Sequence, residues 1–327
     1  MRILVTGSAG HLGEALMRTL PAAGHDPVGV DINPSPFTHH VGSIAEREMV
    51  KRCMRGVDAV VHTATLHKPH VATHSRQDFV DTNVTGTLNL LEEAALARVQ
   101  AFVYTSTTSA FGRALVPPPG APAAWITEDV TPVPKNIYGV TKVAAEDLCE
   151  LFHQRFGLPC LVLRTSRFFP EEDDRRETRE AYPDLNVKAN EFLYRRVDID
   201  DIVTAHLLAL DRAPALGFVR YIISATTPFT HEDLAELRTD APAVLARRVP
   251  RYREVYAARG WSMFPGIDRV YDNARARRDL GWQPRYDFAT VLELIDAEGV
   301  VCSPLARIIG TKGYHAETFA DGPYPVE

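Results

Sequence analysis

Short apolar segments alternate with amphipathic segments along the first half of the chain. Apolar runs of four to six residues predict strands, and stretches whose apolar residues recur every three or four positions predict helices. The predicted strands are Ile3–Thr6, Pro27–Asp31, Ala59–His62, Ala101–Ser106 and Cys160–Arg164. The predicted helices are Leu12–Leu20, Glu46–Met54, Arg76–Ala97 and Tyr138–Phe156.

The predicted strands are continuously apolar, which is typical of a parallel sheet that helices cover on both faces. Regular strand–helix alternation therefore predicts an α/β fold with a Rossmann doubly wound parallel sheet. We expect this sheet within residues 1–165 and a smaller C-terminal α/β part within residues 166–327. That second part contains strand candidates near Arg195–Ile199 and Phe218–Ser224, and we expect it to lend strands back to the sheet.

Three later segments lack this alternation. The prolines of residues 116–122 exclude a helix or a central strand, so a surface loop is expected there. Residues 171–180 are dense in charge, which is typical of a solvated helix or loop, and a lid over a bound substrate is the other interpretation. The last 25 or so residues, including Asp321–Pro325, are expected to be irregular.

Composition narrows the class of protein. The 327 residues are 45% hydrophobic and 24% charged with a net charge of −6, so a core is available and nucleic acid is not an expected partner. No apolar run approaches the ~20 residues of a membrane span. The four cysteines form no C-x-x-C pair and the apolar N-terminal run is too short for a signal peptide, so we expect free thiols and a cytoplasmic protein.

The clearest motif is a glycine-rich turn between the first predicted strand and the first predicted helix. Gly7, Gly10 and Gly13 have the spacing of a phosphate-binding turn, in which a helix N-terminus faces a pyrophosphate. Asp31 ends the second strand, 24 residues after Gly7, where an acid hydrogen-bonds ribose hydroxyls and repels a 2′-phosphate. The motif therefore predicts NAD, not NADP, as the cofactor.

A candidate catalytic pair lies on the helix that follows residue 137. Tyr138 and Lys142 are four residues apart, which places both side chains on one helix face. A nearby ammonium favours the phenolate, so we expect Lys142 to lower the pKa of Tyr138 from its usual ~10. Thr107, at the end of a predicted central strand, is the candidate for orienting the reacting oxygen.

With these motifs the chain resembles the extended short-chain dehydrogenase/reductase family, the NAD-dependent epimerase/dehydratases. The resemblance is strong to about residue 165 and patchier beyond it. Its further marks are His62-Thr63-Ala64, Asn83–Thr87, Arg164, Asp200-Asp201 and Ala276–Pro284. The resemblance implies an NAD-binding domain in residues 1–165, a substrate-binding part in residues 166–327, and a homodimer formed through the helices 76–97 and 138–156.

The resemblance also implies roles for individual residues. The implied catalytic residues are Thr107, Tyr138 and Lys142. The implied cofactor-binding residues are Gly7, Gly10, His11, Leu12, Gly13, Asp31, Ser43, Ile44, Ala64, Asn83, Tyr138 and Lys142. The candidate substrate-binding residues are Thr108, Ser109, His67 and Arg167. No metal site is expected, because the histidine pair His70 and His74 has no acid or cysteine beside it in the sequence.

Departures from the family pattern bear on the reaction. Sugar 4,6-dehydratases have Asp-Glu where this chain has Thr108-Ser109, which argues against dehydration. The stretch Phe169–Asp200 is short for a nucleotide-sugar enzyme, so a small non-nucleotide hydroxy or oxo substrate is a hypothesis. Arg167, Arg195 or Arg196 would bind its carboxylate or phosphate, or would simply lie on the surface.

Three functions remain open at this stage. An epimerase and a dehydrogenase or reductase use the same catalytic residues and differ only in whether a redox product is released. The third is a catalytically silent NAD-sensing regulator, a class that typically lacks the tyrosine or the lysine. Tyr138 and Lys142 are both present here, which favours an enzyme acting on a small molecule.

Overall fold

A seven-stranded parallel sheet forms the centre of the protein in this computed structural model, which describes residues 1–313, 315 and 319. Its strand order is β3-β2-β1-β4-β5-β7-β8. The strands are β1 (Arg2–Thr6), β2 (Asp26–Asp31), β3 (His40–Val41), β4 (Ala59–His62), β5 (Ala101–Thr107), β7 (Cys160–Thr165) and β8 (Phe218–Ile223). Two short strands, β6 (Ala124–Ile126) and β9 (Arg269–Tyr271), form a separate parallel pair.

Helices cover both faces of this sheet. On the main sheet they are α1 (His11–Thr19), α2 (Arg47–Cys53), α4 (Gly86–Ala97), α5 (Ile137–Phe156), α8 (Ile199–Leu216), α12 (Ala274–Leu280) and α14 (Pro304–Ile309), and α3 (Arg76–Phe79) packs against α5. The others are α6 (Arg176–Ala181), α7 (Asp184–Glu191), α9 (Leu234–Leu237), α10 (Ala241–Arg248), α11 (Tyr252–Ala257) and α13 (Phe288–Glu298).

Alternate residues of each strand pack on opposite faces, which explains the continuous apolar runs. Ile3 and Val5 pack with α1, α8 and α14, whereas Leu4 between them packs with α2, α4 and α5. All three side chains are fully buried. The predicted Rossmann doubly wound fold is therefore confirmed, and its switch point lies between β1 and β4, where the strand order reverses.

The predicted elements match the observed ones with two differences. The predicted helix Arg76–Ala97 contains a π-helical stretch, Val80–Thr85, between α3 and α4. The strand expected near Arg195–Ile199 is wrong: Arg196 makes only an isolated bridge to Arg167, and α8 begins at Ile199. The reason is Asp198, whose carboxylate caps α8 by accepting the backbone N–H of Asp200.

The chain beyond residue 165 contributes to two cores. β8 joins the main sheet beside β7, and α8 packs against β5 and β7. A separate apolar cluster joins α7, α9, α10, α11 and α13 to β9. Residues 116–122 are irregular, as expected, and the prediction for Asp321–Pro325 lies outside the described residues.

The glycine turn sets the distance between β1 and α1. A Cβ added at Gly13 would lie 1.9 Å from the Gly7 carbonyl oxygen, which belongs to rigid backbone. Gly7 itself has a φ of +73°, the left-handed region that favours glycine. The helix can therefore approach the strand this closely only without side chains at the contact.

We predict that Gly13→Ala destabilises the protein, because its methyl group must push α1 away from β1. Overpacking of this kind lowers the free energy of unfolding by about 2–3 kcal/mol. Gly10→Ala is the matched control, since its Cβ would meet a single atom, at 3.2 Å. We expect that control to stay within about 1 kcal/mol of wild type in urea unfolding. Equal stability of the two variants would contradict the packing argument.

Candidate active site

A cavity of about 690 Å³ opens where the carboxyl ends of β1, β2, β4, β5 and β7 meet. The edge that parallel strands share at a switch point is where open α/β sheets bind ligands. The loops that follow these strands supply most of the wall. Residues from the distant segments 269–271 and 312–313 complete it.

The glycine turn forms one end of the cavity. Gly10 is the N-cap of α1 and provides no side-chain cap for the first helical N–H groups. The Asp31 carboxylate accepts the backbone N–H groups of Ala9 at 3.0 Å and Asn33 at 2.8 Å, which holds it beside this turn. A helix N-terminus of this kind favours an anionic group such as a pyrophosphate.

The predicted catalytic residues Thr107, Tyr138 and Lys142 lie together on the wall of this cavity. Thr107 ends β5, where its hydroxyl group accepts the backbone N–H of Ser109 at 3.0 Å and lies close enough to Tyr138 to affect the pKa of the phenol. Lys142 follows one turn later on α5, where its ammonium donates to the Thr105 carbonyl at 2.7 Å. All three side chains are buried.

Burial shifts the pKa of both members of the tyrosine–lysine pair. It raises the pKa of Tyr138 to about 12, although the neighbouring Thr107 side chain acts in the opposite direction. It lowers the pKa of Lys142 to about 7, although the Glu146 carboxylate works in the opposite direction. The structure therefore does not have the predicted low tyrosine pKa, because desolvation of the phenol dominates.

Glu146, one further turn along α5, was not singled out in the sequence. It is fully buried and accepts hydrogen bonds from Ser106 Oγ at 2.5 Å and Arg164 Nη2 at 2.6 Å. Arg220 Nε donates to the same carboxylate at 3.2 Å. Glu146 lies eight residues after Tyr138 and four after Lys142, and this spacing in the sequence predicts that it shares their face of the helix.

The structure brings nearly all the predicted site residues to this one cavity. Those that line it are Gly7, Gly10, His11, Leu12, Gly13, Asp31, Ser43, Ile44, Ala64, His67, Thr107, Thr108, Ser109, Tyr138, Lys142 and Arg167. Asn83 is the exception, because it is buried behind the wall. Its side chain bonds the backbone of Leu66 and the hydroxyl of Thr141, so it fixes the loop that carries His67.

The charged segment 171–180 divides into two parts. Glu171, Asp173 and Asp174 are buried against the cavity, which differs from the solvated segment that charge density suggested, whereas most of 175–180 is exposed. Glu171 bonds His11 Nε2 at 2.9 Å and accepts the backbone N–H of Lys312. Burial alone would raise the pKa of Glu171, but these contacts outweigh that effect and lower it to about 2.

The arginines proposed as substrate ligands are bound to carboxylates of the chain itself. Arg167 lies 3.2 Å from Asp173, and Arg195 lies 2.6 Å from Glu191. Arg196 also contacts Glu191, at 2.7 Å. Although burial opposes ionisation, Arg195, Arg196 and Arg167 together lower the pKa of Glu191 to about 2. Because the positive charges of these arginines are paired with carboxylates of the chain itself, they are not available to bind an anionic group of a substrate.

Two negative findings concern the described residues alone. Histidines 67, 70, 74 and 315 lie edge to edge near the cavity, yet no group of three or more described His, Cys, Asp or Glu side chains is arranged to bind a metal ion. The described helices also include none with the length and apolarity needed to cross a bilayer.

Comparison with known proteins gives a consistent result. The model of the NAD-dependent epimerase/dehydratase family matches residues 3–218. A dTDP-glucose 4,6-dehydratase of Streptomyces niveus is 30% identical, covering 88% of this chain and 90% of its own. A 3-beta-hydroxysteroid dehydrogenase of Mycolicibacterium neoaurum is 27% identical, covering 87% of each.

Solved structures share the fold at lower identity. A short-chain dehydrogenase/reductase superfamily protein of Agrobacterium tumefaciens, with bound NAD, superposes with a TM-score of 0.64. It is 24% identical and covers 90% of this chain and 95% of its own. A UDP-glucose 4-epimerase of Thermotoga maritima, with UDP-glucose, has a TM-score of 0.62 at 23% identity, covering 90% of this chain and 97% of its own.

We predict that Lys142→Met stabilises the protein at pH 7 by about 1–3 kcal/mol. The folded pKa of Lys142, about 7, lies below its unfolded value near 10.5, so the cost of the buried charge is fully present below pH 7. That cost disappears as pH rises from 7 towards 10.5. Urea unfolding at pH 6, 7 and 9 should therefore show a difference from wild type that shrinks with pH.

The control for this prediction is Lys51→Met, which removes an exposed lysine paired with Glu48. We expect its stability difference from wild type to be small at all three pH values. A Lys142→Met difference that stayed constant with pH would show that the buried lysine does not titrate in this range.

Proposed function

Because the chain belongs to the NAD-dependent epimerase/dehydratase family, we propose that it is an enzyme transferring hydride at a carbinol or carbonyl carbon of a sugar or sugar-like substrate. The observation that carries this proposal is the meeting of Thr107, Tyr138 and Lys142 with the glycine turn around one cavity. The regulator alternative has no feature of the site in its favour.

The residues present fit NAD. Gly10 leaves the turn without a side chain on its cavity side, where a methyl group added to Gly10 would have only the Gly7 carbonyl oxygen within 4 Å. The first turn of α1 would hold the pyrophosphate, Asp31 the adenosine ribose hydroxyls, and Lys142 the nicotinamide ribose. Bound NAD accepts a hydride in its oxidised form and donates one in its reduced form.

Tyr138 moves the proton that accompanies the hydride. With a pKa of about 12 the phenol is protonated at neutral pH, so it is ready to protonate the oxygen of a carbonyl undergoing reduction. In the oxidation direction the phenolate takes the proton of the substrate hydroxyl. Thr107 orients the reacting oxygen through its own hydroxyl group, and Lys142 stabilises negative charge on Tyr138 Oη.

Water elimination finds no support at this site. A 4,6-dehydratase requires an acid and a base beside the reacting carbons, and the matching positions here are the hydroxyl residues Thr108 and Ser109. The carboxylates among the described lining residues are Asp31, bound to the turn, and Asp174, paired with Lys68 and Arg167. We therefore propose an epimerase or a dehydrogenase, and not a 4,6-dehydratase.

The substrate we propose is a sugar or a similar compound, with a small non-nucleotide hydroxy or oxo compound as the alternative. The short stretch Phe169–Asp200 supports the alternative. His67 and Phe169 both line the cavity there, and their rings stack with centres 5.4 Å apart.

We further propose a cytoplasmic homodimer formed through α4 and α5. Its support is apolar side chains exposed on these two adjacent helices: Leu96, Val140, Leu151 and Phe156. Sedimentation velocity should then give twice the chain mass of 36.3 kDa. Leu151→Asp should shift the protein to monomer, whereas Leu185→Asp, on α7, should not. A monomeric wild type would contradict the proposal.

Product analysis tests the reaction. The protein is incubated with NAD and a pool of free sugars, sugar acids and nucleotide sugars, while reduced cofactor is followed optically and products by NMR. Accumulating NADH would identify a dehydrogenase, and isomer formation without NADH an epimerase. Tyr138→Phe should lose activity by about 10²–10⁴-fold, as expected for removing an acid/base group.

The control for Tyr138→Phe is its NAD affinity, which should equal that of wild type, because the phenol hydroxyl is assigned to the substrate proton. A variant that binds NAD normally and keeps full activity would overturn the role of Tyr138. A protein that binds no NAD would overturn the enzyme proposal itself.

A further inference from the structure

Six lysine and arginine side chains are among the described residues that line the cavity: Lys68, Lys142, Arg167, Arg195, Arg269 and Lys312. Four of them have a carboxylate of the chain within 4 Å. Lys68 pairs with Asp174, Arg167 and Arg195 with Asp173, and Lys312 with Glu14. Lys142 belongs to the catalytic group and contacts the Thr105 carbonyl.

Arg269 is the remaining member of this set. Across the described part of the chain, no carboxylate forms an ion pair with it, and its buried Nε has no hydrogen-bond partner. Its guanidinium carbon lies 5.4 Å from the centre of the Tyr194 ring, which also contacts Arg195 at 5.5 Å. Leaving a buried guanidinium nitrogen unsatisfied is costly unless a ligand completes it.

The strand that carries Arg269 directs it to the substrate side of the cavity. Arg269 and Tyr271 are two apart on β9, so both project from the same face, and both line the cavity. The Tyr271 ring packs against Phe111 at 6.5 Å, and Phe111 belongs to the turn that follows Thr107 at the end of β5. Arg269 is thus attached to the wall near the catalytic residues, away from the glycine turn.

Several other cations lie around Arg269, one of which, Lys68, is already paired with Asp174. Burial lowers the pKa of Lys135, and the charges that lower it further are those of Arg269, Lys68, Arg175 and Arg113. A region in which cations repel one another attracts an anion. The same region contains the only uncompensated guanidinium of the described cavity wall.

We propose that Arg269 binds a carboxylate group of the substrate and so selects an acidic hydroxy or oxo compound. One unpaired guanidinium matches the single charge of a carboxylate in a two-pronged hydrogen bond. A nucleoside diphosphate carries at least two charges, and the other lining arginines are already neutralised. This inference rests on the proposed function, whose substrate class it narrows.

The test compares acids with matched neutral compounds. D-glucuronate and D-glucose, D-galacturonate and D-galactose, and D-glycerate and glycerol are titrated onto the protein with and without NAD, and binding is followed by ligand NMR. Glucose 6-phosphate and UDP-glucose are the phosphate arms. Wild type should prefer at least one acid over its neutral partner by about 10- to 100-fold.

Arg269→Gln should abolish that preference, and Arg269→Lys should restore part of it. Arg113→Gln is the matched control, because it removes an equal charge from the same neighbourhood but lies outside the cavity wall. Its preference should stay within about twofold of wild type. NAD affinity should be the same in all these variants, which separates loss of the subsite from loss of the cofactor site.

Two kinds of result would oppose this assignment. No preference for any acid, or a preference that survives in Arg269→Gln, would overturn the proposal. Tighter binding of UDP-glucose or glucose 6-phosphate that depends on Arg269 would also overturn it, by showing that the ligand is a phosphate. Absence of NAD binding would count against the proposed function, while the comparison of acids without NAD would still decide the role of Arg269.

Discussion

The arrangement of the proposed catalytic residues depends on one buried carboxylate. Glu146 is fully enclosed, so it is tolerated only with its charge compensated and its oxygens hydrogen-bonded. Its partners come from three strands: Ser106 on β5, Arg164 on β7 and Arg220 on β8. Because Glu146 lies on the same face of α5 as Tyr138 and Lys142, these contacts set both the rotation and the height of that helix. Ser106 also precedes Thr107, so one charge cluster aligns the strand end with the tyrosine and the lysine.

Electrostatic compensation extends around the rest of the cavity. Acids among residues 171–174, together with Glu191 and Glu14, pair with four of the cations that face it. Glu171 also connects His11 in the glycine turn to Lys312, near the other end of the sequence. Charges that are paired with each other produce little net electrostatic potential and therefore attract a charged ligand only weakly. Among the described cations that line the cavity, Lys142 and Arg269 have no carboxylate in an ion pair, and burial moves Lys142 towards its neutral form. Arg269, the proposed substrate anchor, therefore stands out from its charged neighbours.

The sequence predicts the sheet and the cofactor turn well, because both depend on local patterns. These patterns each span only a few residues: the apolar runs of the strands, the spacing of Gly7, Gly10 and Gly13, and the i+4 spacing of Tyr138 and Lys142. The contacts of Arg167 could not be predicted in this way, since its partners Asp173 and Glu191 reach it through a loop and a helix with no shared motif. Arg269 lies 131 residues beyond Tyr138 and carries no local signal at all. The pKa of Tyr138 also escaped prediction, because desolvation depends on the completed fold.

The two shifted pKa values together bear on the choice between the enzyme classes. With the phenol of Tyr138 titrating near 12 and Lys142 near 7, burial has moved both groups towards their neutral forms. Tyr138, the proton donor that we propose, is therefore protonated at neutral pH, which suits reduction, whereas oxidation requires the phenolate. A dehydrogenase working in the oxidation direction would have to reach that phenolate in every turnover. An epimerase needs both forms in succession, so the proton that Tyr138 takes from the substrate in one half-reaction is the proton that it returns in the other. Proton transfer through Tyr138 is thus compatible with oxidation followed by reduction at one substrate carbon. An epimerase differs from a dehydrogenase in whether the reduced cofactor returns its hydride to the substrate before the product leaves.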